Sequence, residues 1–413
     1  MNVKDIKKEI QREISMWVGQ KQNLTEEFIR QQAEKVFENL SKKFDMSGIN
    51  KDKVIKSLSA DFLGLGPLQK LMDDKDITEI MVNGPDKIFI EKNGKKILSD
   101  IKFEDLDQLR YIVEKMLTPS GRRVDESSPF VDFSLDDGSR VNVIIPPLAV
   151  GGAVITIRKF LRTINNLDDL VKLGTLDPRM AEFLVACLKA KRNILFSGAT
   201  GSGKTTTMSA LSSYIDEQER IVTIEDALEL DLRQEHIVRL LTKAANIEGK
   251  GEITLRHLFS NTLRMRPTRI ILGEIRGAEA VDYLQALNSG HGGCLAVIHS
   301  STPADAVGRL ETMFLYAGLS LPTSTIRKQI GSGLDLILQH EQYGDGSRKI
   351  NHITEVEKGP DGAVLRDIFK YEAEDVDEKG AVRGHYKAIN KPNFFDVFKK
   401  RGIKINEDIF KPD

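Results

Sequence analysis

Residues 194–205 read Ile-Leu-Phe-Ser-Gly-Ala-Thr-Gly-Ser-Gly-Lys-Thr, an apolar strand that runs directly into the pattern G-x-x-x-x-G-K-T. The glycines allow the backbone to curl so that successive N–H groups point inward at an anion. In this pattern the lysine meets the β- and γ-phosphates, and the hydroxyl that follows it suits a Mg²⁺ ligand position. A helix that begins here directs the positive end of its dipole at the same anion. The stretch predicts a nucleoside triphosphate site that also holds Mg²⁺.

The residues expected to line the nucleotide are consecutive, and Thr205 is also the first predicted metal ligand. They are Gly198, Ala199, Thr200, Gly201, Ser202, Gly203, Lys204, Thr205 and Thr206.

Apolar strands alternate with helical segments around this stretch, a pattern typical of a mostly parallel sheet in an α/β fold. We predict strands over residues 193–197, 220–224, 269–272, 294–298 and 334–338. Sites in such sheets lie at the carboxyl ends of the strands, so polar residues directly after each strand should converge on the phosphates. These residues are Glu225 with Asp226, Glu274, and His299 with Ser300.

Glu274 is the first candidate for catalysis, because hydrolysis needs a metal ion, a positioned water and charge neutralisation. It follows an apolar run and occupies the usual place of the Walker B acid. Gly273 stands where a metal-holding aspartate is often found, so we expect Glu274 to orient metal-bound water or accept a proton, and to serve as a metal ligand. A carboxylate that caps a following helix is the alternative interpretation.

Glu225 and His299 are the second and third catalytic candidates. Adjacent carboxylates at a strand end point to different sides, so only one of Glu225 and Asp226 is expected to face the nucleotide, and we favour Glu225. His299 follows an apolar strand, where an imidazole could sense the γ-phosphate. A purely structural role stays open for both residues.

Composition limits the function classes. A chain of 413 residues with 60 basic and 61 acidic side chains is long enough for two or three domains, and its net charge of −1 gives no global reason to bind nucleic acid. The only two cysteines, Cys187 and Cys294, are far apart, which indicates a reducing compartment and excludes a C-x-x-C zinc module. The chain shows no N-terminal signal pattern, and its most apolar stretch is interrupted by prolines and glycines. We expect a cytoplasmic protein whose membrane contact is peripheral.

Changes of pattern along the chain predict five segments. Residues 1–60 have helical periodicity, and Trp17 there is a packing anchor or part of a partner-docking patch. Residues 61–160 indicate a small α/β domain of mostly antiparallel strands, followed by a polar linker over 161–175. The nucleotide domain then covers 176–345, and a hairpin with a weakly patterned tail covers 346–413.

Arginines are frequent in the small α/β domain. Arg122, Arg123, Arg140 and Arg158 are either solvated surface residues, or one or two of them reach a nucleotide across a domain or subunit boundary.

With these parts assembled, the chain resembles the secretion traffic ATPases of type II and type IV secretion and type IV pili. The resemblance is closest to the branch for Flp/Tad pilus assembly, usually called CpaF. The segments that carry the resemblance are ITEIMVNG (77–84), GRRVDESSP (121–129), DGSRVNVIIPP (137–147), ITIRKF (155–160), the phosphate-loop stretch, IVTIEDALEL (221–230), LRMRPTRIILGEIRG (263–277) and GHGGCLAVIHSSTPADAVGRLETM (290–313).

The resemblance implies a RecA-like motor domain preceded by a smaller PAS-like α/β domain, assembled as a homohexameric ring. It further implies that Arg140 and Arg158 contact phosphates from the N-terminal domain, and that Arg276 contacts the nucleotide or a neighbouring subunit. The Gly273-Glu274 pair is normal for the family's Walker B motif. Inner-membrane pilus platform proteins are the implied partners. The chain lacks the C-x-x-C metal element found in type II secretion ATPases.

Two other function classes stay open from sequence alone, since a fold does not determine a function. One is a RecA-like nucleic-acid motor, which the neutral net charge and the 6% aromatic content disfavour. The other is a nucleotide sensor that does not hydrolyse ATP, which the presence of Glu225, Glu274 and His299 disfavours.

Overall fold

The structure is a computed structural model that describes residues 6, 9, 10, 26–42, 44, 49–92, 94–160, 164–243, 245, 250–318, 321–360, 362–377 and 380–412. Trp17 lies outside these residues, so its predicted role is not addressed. The chain divides into two units, Met1–Leu161 and Arg162–Asp413, and each is described by itself.

The first unit contains an antiparallel sheet whose order, within the described residues, is β3-β2-β1-β6-β5-β4. Apolar side chains on alternate positions of these strands, except the fully exposed β3, pack against helix α4. The strands are β1 (Ile77–Asn83), β2 (Ile88–Lys92), β3 (Lys95–Leu98), β4 (Phe130–Ser134), β5 (Arg140–Ile144) and β6 (Val154–Arg158). The helices are α1 (Glu26–Ser41), α2 (Lys51–Leu63), α3 (Gln69–Asp73) and α4 (Leu106–Leu117), with 3₁₀ turns at Gly66–Leu68 and Thr118–Ser120.

The second unit is built on a sheet with the order β15-β14-β13-β12-β7-β11-β10-β8-β9 in the described part of the chain. Strands β12, β7, β11, β10, β8 and β9 are parallel to one another, and β13 to β15 continue the sheet in antiparallel pairs. The strands are β7 (Ile194–Gly198), β8 (Ile221–Glu225), β9 (Ile237–Leu241), β10 (Arg269–Leu272), β11 (Leu295–Ile298), β12 (Leu336–Gln342), β13 (Arg348–Lys358), β14 (Ala363–Val376) and β15 (Val382–Ala388).

Helices cover both faces of this sheet, which is why β7, β8, β10 and β11 are buried at every position. Side-chain oxygens at several N-caps accept the first helical amides, as Asp177 does from Met180 and Thr302 does from Asp305. The helices are α5 (Leu167–Lys172), α6 (Pro178–Lys189), α7 (Lys204–Ser212), α8 (Leu255–Thr262), α9 (Glu279–Asn288), α10 (Pro303–Tyr316), α11 (Thr323–Gly333) and α12 (Asp396–Lys400), with a 3₁₀ turn at Glu407–Phe410.

The fold class predicted from the sequence is confirmed, including the mostly antiparallel pairing in the first unit and the parallel strand that leads into the phosphate loop. Strands β3 and β9 were not predicted: β3 is a lysine-rich edge strand, and β9 is an edge strand without a fully buried residue. β3 begins with two lysines and lacks the apolar pattern on which strand prediction depends, whereas β9 reads IVRLL and its apolar pattern was overlooked.

Two predicted segments have more structure than their patterns indicated. The predicted linker, 161–175, includes helix α5, whose Leu167 and Leu170 are buried in the core of the second unit. The predicted tail after the β13–β14 hairpin forms β15, α12 and a 3₁₀ turn, and its phenylalanines Phe398 and Phe410 pack on that same core. Short amphipathic pieces that are stabilised by distant residues give little local periodicity.

No helix in the described ranges is long and apolar enough to cross a membrane.

Candidate functional site

The phosphate loop follows β7 directly, and helix α7 begins at its lysine. Gly198, Gly201 and Gly203 have φ angles of 147°, 79° and 97°, a region that residues with a Cβ atom rarely adopt. A Cβ on Gly198 would also lie only 2.5 Å from the His340 carbonyl oxygen. The glycines are therefore required by the backbone path, which agrees with the predicted phosphate cradle.

Lys204 is 5% exposed and points back into the loop. Its Nζ donates to the carbonyl oxygens of Gly198 at 2.9 Å and Ala199 at 2.7 Å, and lies 3.3 Å from Nδ1 of His299. A buried ammonium is stable only when its donors are satisfied, and an anionic phosphate would be a stronger acceptor than these carbonyls.

The order of strands brings the predicted residues together. β7 lies next to β11, β11 next to β10, and β10 next to β8, so the residues that follow these strands form a row along one edge of the sheet. His299 follows β11, Glu274 follows β10, and Asp226 follows β8. Contacts connect this row without a break from the lysine of the loop to the carboxylate of Asp226.

Beyond His299, the contacts in this row run through carboxylates and a guanidinium. Nε2 of His299 lies 3.1 Å from Oε1 of Glu274, whose Oε2 accepts from Nη2 of Arg276 at 2.7 Å. Nη1 of Arg276 lies 3.2 Å from Oδ2 of Asp226. The structure thus brings His299 into contact with the phosphate loop and connects Glu274 and Arg276 to the loop through His299.

Glu274 is held in its ionised form. Burial alone would raise the pKa of its carboxyl group, but hydrogen bonds from His299 and Arg276 outweigh burial and lower the pKa to about 2. The same hydrogen bond raises the pKa of Arg276. In this arrangement Glu274 is a poor proton acceptor until His299 or Arg276 is drawn away from it.

Glu225 lies in a different environment from the one we predicted. Its side chain is 2% exposed, and its Oε2 accepts the backbone amides of Glu229 at 2.8 Å and Leu230 at 2.9 Å. Burial raises the pKa of its carboxyl group in spite of these amides. The carboxylate caps the turn after β8, and we revise its predicted catalytic role to a structural one.

Glu229 was missed from the sequence, although it lies within the quoted segment IVTIEDALEL. The hydroxyl of Thr205, which we predicted to be a metal ligand, donates to Oε2 of Glu229 at 3.4 Å. Glu229 therefore places a carboxylate beside the predicted metal position. Glu229 lies four residues beyond the end of its strand, and the rule that selects the first polar residues after a strand does not reach it.

Two buried side chains of β12 contact the segments next to the phosphate loop and next to His299. Nδ1 of His340 lies 3.2 Å from the carbonyl oxygen of Ser197, and Nε2 of Gln339 donates to the carbonyl oxygens of Ser300 at 3.2 Å and Ser301 at 3.1 Å. These contacts fix the segments that carry Lys204 and His299. Neither residue has a recognisable sequence signal, because each looks like one polar position in an apolar strand.

Arg140 and Arg158 lie in the first unit. They are directly opposite each other across β5 and β6, with Arg158 exposed and Arg140 partly buried. Their predicted contact with a phosphate stays a prediction.

The oxygen donors at the loop are compatible with Mg²⁺. Within the described residues, no group of three or more His, Cys, Asp and Glu side chains is arranged to hold a metal ion. Mg²⁺ is normally held by one or two protein oxygens, with water and substrate phosphates completing the octahedron. The Thr205 hydroxyl and the Glu229 carboxylate, adjacent to the phosphate loop, form such a donor set.

Comparisons with known proteins agree with this geometry. The family described as "Type II/IV secretion system protein" matches residues 61–342. A putative conjugal transfer protein of Mycobacterium tuberculosis is 32% identical over 305 residues, which cover 72% of this chain and 86% of that protein. A type IV secretion system protein PtlH homolog of Bordetella bronchiseptica is 34% identical over 320 residues, which cover 71% and 94%.

A solved structure is similar in fold. The X-ray structure of the Yersinia pseudotuberculosis ATPase DotB aligns with a TM-score of 0.52 and 17% identity over 74% of this chain and 80% of that one. The predicted resemblance to secretion ATPases is thus confirmed at the level of the superfamily. The chain belongs to the type II/IV secretion system protein family, and it is a nucleotide-binding ATPase with a RecA-like motor domain.

Proposed function

We propose that this ATPase is a homohexameric motor that powers assembly of a Flp/Tad-type pilus or a related secretion system. The long motifs quoted above support the Flp/Tad branch. The proposed partners are other copies of the same chain and inner-membrane platform proteins, through which the motor would associate peripherally with the membrane.

The row of contacts from Lys204 through His299 and Glu274 to Arg276 is the observation that carries the proposal. The imidazole of His299 and the guanidinium of Arg276, which hold Glu274, are both hydrogen-bond donors that a γ-phosphate attracts. A nucleotide that draws His299 or Arg276 toward its phosphate would remove the hydrogen bonds that keep the pKa of Glu274 low. Glu274 would then be free to orient the attacking water.

The metal site belongs to the same proposal. Bound Mg²⁺ would neutralise developing charge on the phosphates. We propose that Thr205 and Glu229 hold it. This amends the prediction of Glu274 as a metal ligand, because in this proposal its carboxylate orients the attacking water.

Arg140 and Arg158 supply the proposed link from hydrolysis to movement. Arginines from the N-terminal domain that contact the γ-phosphate would hold the domains closed, and loss of that phosphate would release them. In a ring, successive closures would move an attached platform.

Two active-site variants test the catalytic assignment. We expect Lys204→Ala to abolish ATP binding, and Glu274→Gln to bind ATP while turnover falls at least about a hundredfold, because only the second leaves the phosphate cradle intact. ATPase rates and nucleotide titrations measure both effects. Full turnover by either variant would contradict the site.

The mass of the oligomer and the stimulation of ATP hydrolysis by a partner test the proposal of a hexameric pilus motor. The mass of the Glu274→Gln protein with ATP should correspond to six chains, and a cytoplasmic fragment of a pilus platform protein should stimulate wild-type hydrolysis. Stimulation by single-stranded DNA instead would favour the nucleic-acid motor.

A further inference from the structure

The hairpin between β12 and β13 lies against the phosphate loop. His340 of β12 pairs with Gly198 in the parallel ladder, so the strand continues past the point where the loop begins. The chain then turns over residues 343–347, and the first residue of β13, Arg348, pairs back with Gln342. Arg348 lies beyond residues 61–342, which match the family.

Arg348 reaches the apex of the loop. Its Nε donates to the carbonyl oxygen of Gly201 at 2.7 Å, and its Cδ lies 3.5 Å from where a Cβ on Gly203 would be. The side chain is exposed, and no ion pair is recorded for it within the described ranges. A cation that is not paired with a carboxylate therefore holds a backbone carbonyl of the phosphate cradle.

The contact determines which way one peptide group faces. Because a peptide unit is planar, its carbonyl and the following N–H point in opposite directions. The outward Gly201 carbonyl therefore places the N–H of Ser202 inside the loop, where it meets the Ala199 carbonyl only weakly, at 3.3 Å. An inward N–H with a long hydrogen bond can turn to an entering anion at little cost.

We propose that Arg348 is a positioning residue for the phosphate loop. Its side chain holds the Gly201 carbonyl outward, so that the loop presents its amides to the nucleotide phosphates. This inference rests on the proposed nucleotide site and adds to it a determinant of nucleotide affinity from the C-terminal hairpin. Gln342 lies on the same side, with its Oε1 3.6 Å from where a Cβ on Gly201 would be.

Three substitutions separate the donor from the charge. Glutamine places its Nε2 at the same number of bonds from the backbone as the arginine Nε, so Arg348→Gln keeps the donor and loses the charge. Lysine has a methylene at that position, so Arg348→Lys keeps the charge and loses the donor there. Arg348→Ala loses both. Arg383→Ala is the matched control, because Arg383 is an exposed arginine of the same sheet that pairs with Asp377.

We expect Arg348→Ala to raise the KM for ATP and the Kd for ADP about tenfold while kcat changes less than about twofold, since the hydrogen bond that orients a cradle carbonyl is lost and the reacting groups are unchanged. Arg348→Gln should recover most of this affinity, and Arg348→Lys should resemble Arg348→Ala. Arg383→Ala should bind nucleotide like wild type. Unfolding of each nucleotide-free variant, followed by circular dichroism, should match wild type.

Either of two results would overturn the positioning role. The first is unchanged ADP affinity in Arg348→Ala. The second is recovery by Arg348→Lys without recovery by Arg348→Gln, which would mean that only the charge matters. Lys204→Ala, measured alongside, distinguishes this failure from failure of the proposed function, because normal turnover in that variant would remove the nucleotide site itself.

Discussion

At the scale of single residues, Glu225 and Glu229 are four positions apart in the chain and have different roles. Glu225 is a structural carboxylate, and Glu229 is a candidate Mg²⁺ ligand. Both follow the same strand and both belong to the same acidic segment. Glu225 turns inward and accepts the amide of Glu229, whereas the side chain of Glu229 meets Thr205. The inward carboxylate fixes the backbone that presents the second one.

This pair gives a prediction on metal dependence. Glu229→Gln should raise the Mg²⁺ concentration for half-maximal ATPase activity about tenfold or more, because it removes a proposed charged oxygen ligand. Glu225→Gln should leave that concentration nearly unchanged, since its neutral amide oxygen can still accept an amide of the turn. Titration of activity with Mg²⁺ at fixed ATP measures both values, and the reverse ranking would contradict the proposed role of Glu229 as a metal ligand.

His340 is a second residue whose environment decides its chemistry. It is fully buried beneath the loop, and its Nε2 has no hydrogen bond among the described residues. Burial lowers the pKa of its imidazole to about 4, and the neighbouring Lys204 charge adds to that effect. The histidine is therefore neutral at physiological pH, with Nδ1 donating to a backbone carbonyl.

A pH dependence of stability follows. The unfolded chain binds a proton at His340 near its ordinary pKa of about 6.5, whereas the folded chain does so only near pH 4. Stability should therefore fall as pH decreases from 6.5 to 4, by an amount on the order of 3 kcal/mol from this group, and then stop falling. Urea unfolding across this pH range should show a smaller pH dependence of stability for His340→Asn than for wild type. The same pH dependence in both proteins would show that His340 does not contribute to it.

At the scale of elements, the C-terminal pieces complete the second unit. Phe410, in the last 3₁₀ turn, contacts Phe183 of α6 edge-on with 5.4 Å between ring centroids, and Phe369 of β14 at 5.7 Å. Phe398 of α12 packs edge-on against the same Phe183 at 6.3 Å. An aromatic cluster thus joins the start of the second unit to its last residues.

Removal of one ring from this cluster should lower the stability of the second unit. Phe410→Ala should reduce the unfolding free energy of the second unit by about 3–5 kcal/mol, because the surrounding core side chains are tightly packed and cannot move to fill the cavity. Tyr316→Ala is the control, since Tyr316 is 83% exposed on α10 and its loss should change stability by less than about 0.5 kcal/mol. Urea denaturation of both variants measures the difference, and equal losses would show that the cluster contributes little.

At the scale of the whole molecule, the sequence predicted what depends on periodicity and on strand ends. The parallel strands, the phosphate loop, Glu274 and His299 were found because parallel strands place their carboxyl ends together. Arg348 and Gln339 could not be found in this way. Gln339 lies in β12, which is beside β7 in the sheet but more than a hundred residues away in the chain, and Arg348 begins β13, which pairs with β12.

Among the strands that the structure describes, the sheet of the second unit ends at β9 on one side and at β15 on the other. An unpaired strand edge can template the addition of a strand from another molecule, and natural proteins resist this with charged side chains. β15 presents Arg383, His385 and Lys387 in alternation, each beside an acidic residue of its own chain. These charged side chains would protect monomers at high concentration from edge-to-edge aggregation. A variant with neutral residues at these three positions should therefore aggregate while it is still folded.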